Sequence, residues 1–93
     1  MRILLIEDDR VIATALREQA EGEGHSVDWA ARLDEASDAL ATTSFDLILL
    51  DLMLPDGTGQ QVLQAMMAEP ALRAGARVAV FSAGLLAETR LRL

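Results

Sequence analysis

Ninety-three residues with 52% hydrophobic composition, 15 acidic and 8 basic side chains and a formal charge of −7 allow one small packed domain and exclude a disordered chain. The acidic balance argues against nucleic acid or an anionic membrane as a direct partner, and the lack of cysteine excludes a disulfide frame or thiolate zinc site. All 8 basic residues are arginine, and the opening MRILLIEDD has too short an apolar run for a signal peptide or membrane span, so a cytoplasmic domain is expected.

The first apolar run, Ile3–Ile6, is nearly continuous in Ile and Leu and reads as a strand covered on both faces. Glu7, Asp8 and Asp9 follow it directly. Ile12, Ala15, Leu16 and Ala20 then share one helical stripe, which Gly22 and Gly24 can stop. His25, in the Gly-rich turn and with no second histidine, reads as a surface residue. Val27–Ala30 alternates as a half-open edge strand does, with Trp29 a packing residue on it. Leu33, Ala36 and Leu40 mark a second helix whose solvated face carries Asp34, Glu35 and Asp38. Leu47–Leu50 is a third strand, ended by Asp51. Pro55, Asp56, Gly57 and Gly59 carry turn chemistry, but helical rather than alternating periodicity follows, which sets aside a hairpin at Asp56–Gly57. Thr58 with Gln61 reads as a capping box opening a third helix through Val62, Leu63, Met66 and Met67, the two methionines serving as core filler. Val78–Phe81 is a fourth strand, followed by Ser82, and a last helical stretch starts near Leu85.

The order β-α-β-α-β-α-β implies an α/β fold: a doubly wound parallel sheet with right-handed crossovers and helices on both faces. In such sheets ligands collect beyond the carboxyl ends of the strands, where the strand order reverses. With the order 2-1-3-4, Glu7, Asp8 and Asp51 converge in one shallow acidic pocket. Crowded carboxylates either hold a raised pKa or bind a hard divalent cation such as Mg²⁺. A carboxylate beside such an ion can act as a nucleophile toward phosphorus, with the Ser82 hydroxyl on the same rim. Taken singly, each acidic group could equally be a solvated helix start. A flavin or nucleotide carrier fits poorly, because the first loop reads EDDR and not a glycine-rich phosphate cradle.

The strings ILLIEDD, DLILLDLMLPDGTG and VAVFSAG resemble, in register over nearly all of the chain, the receiver domain of two-component response regulators. The resemblance implies a flavodoxin-like sheet with Asp51 as phosphoacceptor. It assigns Mg²⁺ (or Mn²⁺) to Glu7, Asp8 and Asp51 with the main-chain carbonyl of Met53, and phosphate contact to Ser82, followed by the small Ala83. Glu7 in place of Asp is a common variant in the branch that carries winged-helix output domains. The implied partner is a sensor histidine kinase or phosphotransfer protein. No enzyme activity beyond self-phosphorylation is implied.

Receiver domains run to about 120 residues, with five strands and five helices. Against that pattern, residues 1–93 read as a single incomplete receiver domain that stops inside the expected fourth helix (Leu85–Leu93), without the fifth strand, fifth helix or Lys-Pro pair. A natural short form and a fragment of a longer regulator both fit. No lysine is present to pair with the phosphate, and Arg90 and Arg92 do not substitute freely for one. Slow phosphorylation, or a lysine from another chain, is therefore expected. An open fourth-strand edge predicts a homodimer. Two functions compete: a phosphoacceptor served by a histidine kinase, and a phosphorylation-deficient, receiver-derived interaction or dimerisation module.

Overall fold

Successive side chains on a strand leave opposite faces, so a run that is apolar at every position can be buried only between two layers. β1 (Arg2–Ile6) and β3 (Leu47–Asp51) contain such runs at 3–6 and 47–50, and Ile3, Leu4, Leu5, Ile6, Ile48, Leu49 and Leu50 are all buried. The computed structural model describes residues 1–54, 57–68 and 75–81. Beside these two strands it contains α1 (Arg10–Gly22), β2 (Ser26–Ala30), α2 (Leu33–Thr42), β4 (Met53–Leu54), β5 (Gly57–Thr58), α3 (Gly59–Ala68) and β6 (Arg77–Phe81).

β1 pairs in parallel with β2 and β3, and β3 with β6, giving the sheet order β2-β1-β3-β6. This is the expected 2-1-3-4 order, with β6 as the fourth strand of the sheet. The period-2 alternation sorts the core into two halves. Leu4, Ile6, Ile48 and Leu50 pack with Ala36 of α2, Met66 of α3 and Phe45 on one face. Ile3, Leu5, Val27, Leu49 and Phe81 pack with Ala13 of α1 on the other.

α1 starts where the Asp9 carboxylate accepts from the N–H groups of Val11 (2.8 Å) and Ile12 (3.2 Å), filling the cap that a helix start requires. It ends at a left-handed turn, with Gly24 at φ 91° and the Gly24 N–H donating to the Glu21 carbonyl at 3.0 Å. The buried stripe differs from the expected one by one residue: Ala13 is buried and Ala15 is exposed. Every fourth residue advances by about 40° around a helix, so the row Ile12–Leu16–Ala20 drifts toward Ala13 and away from Ala15.

Two further expectations need correction. β4 and β5 pair antiparallel, with Met53 opposite Thr58 and Leu54 opposite Gly57, so strand pairing does occur where the sequence sets a hairpin aside, with Gly57 inside the second arm. Its two-residue arms are too short to leave an alternating pattern, and α3 begins immediately after it at Gly59. Of the methionine pair, Met66 is buried, whereas Met67 is 58% exposed and fills no core. Ser82, Ala83, Arg90, Arg92 and the helix expected from Leu85 lie outside the described residues. Among the described residues no helix is long and apolar enough to cross a membrane.

Candidate functional site

The alternation that builds the core also builds the site. Ile3 and Leu5 face α1, and so does the next odd position, Glu7; on β3 the series Leu47, Leu49 leads in the same way to Asp51. The last registered pair is Ile6 with Leu50. One step further, Glu7 and Asp51 stand abreast at the carboxyl ends of two adjacent strands, both fully buried. Asp8 is exposed beside them, and one carboxylate oxygen from each of the three lies within 4.8 Å of the others.

The main chain holds Glu7 firmly. Its N–H donates to the Ala30 carbonyl at 3.1 Å, and its carbonyl accepts from the indole Nε1 of Trp29 at 2.7 Å. The Asp9 N–H donates to Glu7 Oε1 at 2.8 Å, while Glu7 Oε2 is buried and accepts no hydrogen bond. Of the three acids after β1, Asp9 is therefore structural: its own carboxylate caps α1. Burial pushes the Glu7 carboxyl up to about 8; the Asp9 N–H opposes that rise, and the nearby charge of Asp51 and hydrogen bonds with Asp8 and Asp51 reinforce it.

Asp51 is fixed from the other side. The Leu52 N–H donates to the Phe81 carbonyl at 2.8 Å, and the Gly59 N–H donates to the Leu52 carbonyl at 2.8 Å. Gly59 has no room for a side chain: a Cβ there would overlap the Asp51 carbonyl oxygen and lie 2.6 Å from the Leu52 Cα. In the sequence this glycine carries turn chemistry and gives no sign of its close approach to the site. The indole bond of Trp29 is likewise invisible in the sequence, since nothing there pairs a donor with a carbonyl 22 residues away.

Chemically, a buried carboxylate oxygen without a donor, inside a set of three oxygen ligands, fits a hard divalent cation, which would take up the crowded negative charge. The structure thus brings together Glu7, Asp8 and Asp51 as expected. Met53 opens β4 two residues beyond Asp51.

A family model described as the response regulator receiver domain matches residues 3–91. The chain belongs to this receiver family. Among curated relatives, swarming motility regulation protein RssB of Serratia marcescens is 45% identical over 65 residues, which are 70% of this chain and 30% of that protein. The chain thus spans less than a third of that relative's length. Among solved structures, the MaeR response regulator bound to beryllium trifluoride superposes with a TM-score of 0.81 at 27% identity, covering 89% of this chain and 67% of that one. A Burkholderia pseudomallei response regulator, with a phosphorylated aspartic acid, calcium ion and citrate, gives 0.78 at 28% identity over 87% of this chain and 46% of that one. The receiver fold, a flavodoxin-like doubly wound parallel sheet, is therefore the fold of this chain.

Proposed function

We propose that this receiver domain accepts a phosphoryl group on Asp51 from a sensor histidine kinase or phosphotransfer protein, in two-component signalling. One observation carries the reading: Asp51 is buried abreast of Glu7, with Asp8 at the mouth, in a three-carboxylate cluster whose Glu7 Oε2 has no donor. Glu7, Asp8, Asp51 and the Met53 main-chain carbonyl would hold Mg²⁺ or Mn²⁺. Such an ion supplies positive charge to the transferring phosphoryl oxygens and to the crowded acids.

Asp51 contributes the nucleophilic oxygen. That oxygen bonds to phosphorus as the P–N bond of a phosphohistidine breaks; the imidazole nitrogen keeps the electron pair and takes a proton, and an acyl phosphate remains. Ser82 would meet a phosphoryl oxygen, with Ala83 leaving space beside it. The beryllium trifluoride and phosphorylated aspartic acid of the two solved relatives support the same assignment. The chain is a phosphoacceptor and at most phosphorylates itself. Its charge of −7 favours protein partners over nucleic acid or membrane, in a cytoplasmic setting.

The test is incubation with acetyl phosphate or phosphoramidate and Mg²⁺, read by intact mass. The native chain gains one phosphoryl group and Asp51→Asn gains none. A native chain that stays unmodified, or a gain that survives the substitution, defeats the reading.

A second reading is favoured by β6, which pairs with β3 alone among the described residues. An open strand edge is a template for another chain. On this reading the protein is a phosphorylation-deficient interaction module that forms a homodimer through that edge. Sedimentation then shows a salt-resistant dimer for both the native chain and Asp51→Asn. A well-folded monomer at micromolar concentration would count against it.

A further inference from the structure

The β1–β2 ladder ends at Ile6 opposite Ala30, and beyond it the β2 chain turns toward α2, with the Ala31 N–H donating to the Glu35 carboxylate at 3.1 Å. Glu7 lies one step past that end, where a strand would ordinarily begin to fray. Its carbonyl is met there by a side chain, the indole N–H of Trp29 at 2.7 Å. Trp29 is half-buried and packs on the cluster that α1 covers, so its ring rests on the helix-facing core while its N–H reaches the Glu7 carbonyl. Of the hydrogen bonds described for Glu7, the indole bond is the one made by another residue's side chain to its main chain; Ala30 and Asp9 act through backbone groups.

A ligand carboxylate grips a cation only if its own backbone origin is fixed to within about 0.5 Å. Groups that orient a ligand from behind commonly matter about tenfold or more in metal affinity. We propose that Trp29 is a positioning residue for the cation site: by holding the Glu7 carbonyl, its indole N–H keeps the Glu7 carboxylate aimed at Asp8 and Asp51. This rests on the reading of Glu7 as a cation ligand. It separates two roles that one side chain could play, a hydrogen-bond donor and a space-filling ring.

The experiment titrates the full chain with Mn²⁺ by calorimetry at fixed pH in three forms: native, Trp29→Phe, and Trp29 replaced by β-(3-benzothienyl)alanine, which keeps the ring shape and lacks the N–H. Both variants are expected to bind Mn²⁺ about tenfold more weakly than the native chain. Trp29 is the only tryptophan, so its single indole N–H resonance can also be followed. It is expected to move during Mg²⁺ titration of the native chain and to stay still in Glu7→Gln. Native affinity in both variants overturns the proposal. So does a loss in Trp29→Phe that the benzothienyl form restores, since ring volume would then be the whole effect. A native chain that binds neither cation overturns the underlying reading as well, an outcome distinct from the other two.

Discussion

The two ends of one sheet treat carboxylates in opposite ways. At the amino end, Asp46 precedes β3; its Oδ2 accepts from the Arg2 N–H at 2.8 Å, its N–H donates to the Arg2 carbonyl at 2.8 Å, and its carbonyl accepts from the Arg77 N–H at 3.0 Å. Nearby, the Arg2 guanidinium pairs with Asp28 at 3.0 Å and lies 5.6 Å over the Phe45 ring. Asp46 is exposed and Asp28 half-buried, and both are matched with donors. At the carboxyl end, Glu7 and Asp51 are fully buried beside Asp8, and one Glu7 oxygen has no donor. The strands are the same; the surroundings differ. Satisfied polar groups at one rim hold strands in register, whereas the other crowds carboxylates at a cost in stability, as sites with perturbed pKa values commonly do.

The contrast can be broken most strongly at Gly59. Gly59→Ala forces a methyl group into the main chain of Asp51 and Leu52 and is expected to destabilise the fold by about 1–3 kcal/mol, measured by urea unfolding. Removing one crowded acid should do the reverse. Asp51→Asn is expected to stabilise the cation-free chain by about 0.5–2 kcal/mol while abolishing phosphoryl acceptance, so the same urea measurement separates stability from function.

pH sharpens the comparison further. The Glu7 carboxyl sits at about 8 when folded, against an ordinary 4.5, so the folded state holds its proton more tightly than the unfolded state. Its contribution to stability is complete below pH 4.5 and is lost as pH rises through about 8. Unfolding midpoints for the cation-free chain at pH 5 and pH 9 should therefore fall, and Glu7→Gln should remove that part of the slope. A cation held by Glu7 would displace the same proton, so on the proposed function Mg²⁺ affinity should rise with pH and level off above about 8.

Effects at the amino end are smaller. Asp46→Ala loses a hydrogen bond to the Arg2 N–H at an exposed site and should cost about 0.5–1.5 kcal/mol, with no change in cation affinity. Asp28→Asn removes a pair whose side chains are 50% and 40% exposed, and should cost under about 1 kcal/mol and less in high salt. A measurable loss of Mn²⁺ binding in either variant would erase the distinction between the rims.

The sheet and the acidic cluster were legible because one periodicity writes both. Continuous apolar runs mark doubly covered strands, and extending the same alternation by one residue carries Glu7 and Asp51 onto one face. What escaped was contact between segments that no period connects. The indole of Trp29 reads as packing until β2 is laid beside β1, and nothing in the sequence singles out Asp46, whose bonds to Arg2 and Arg77 join segments far apart in the chain. The β4–β5 ribbon escaped because two residues per arm leave no pattern, and Ala13 because a four-residue row drifts around its helix. Ser82 and Ala83 follow Phe81, whose register partner is Asp51, but they lie outside the described residues.

The seat of Gly59 has a mechanical consequence. With no side chain between them, the first turn of α3 bears directly on the Asp51 backbone, and no soft padding can absorb a displacement there. Any shift of that backbone would therefore meet the start of α3 directly, through the Gly59 approach and the Gly59 N–H bond to the Leu52 carbonyl.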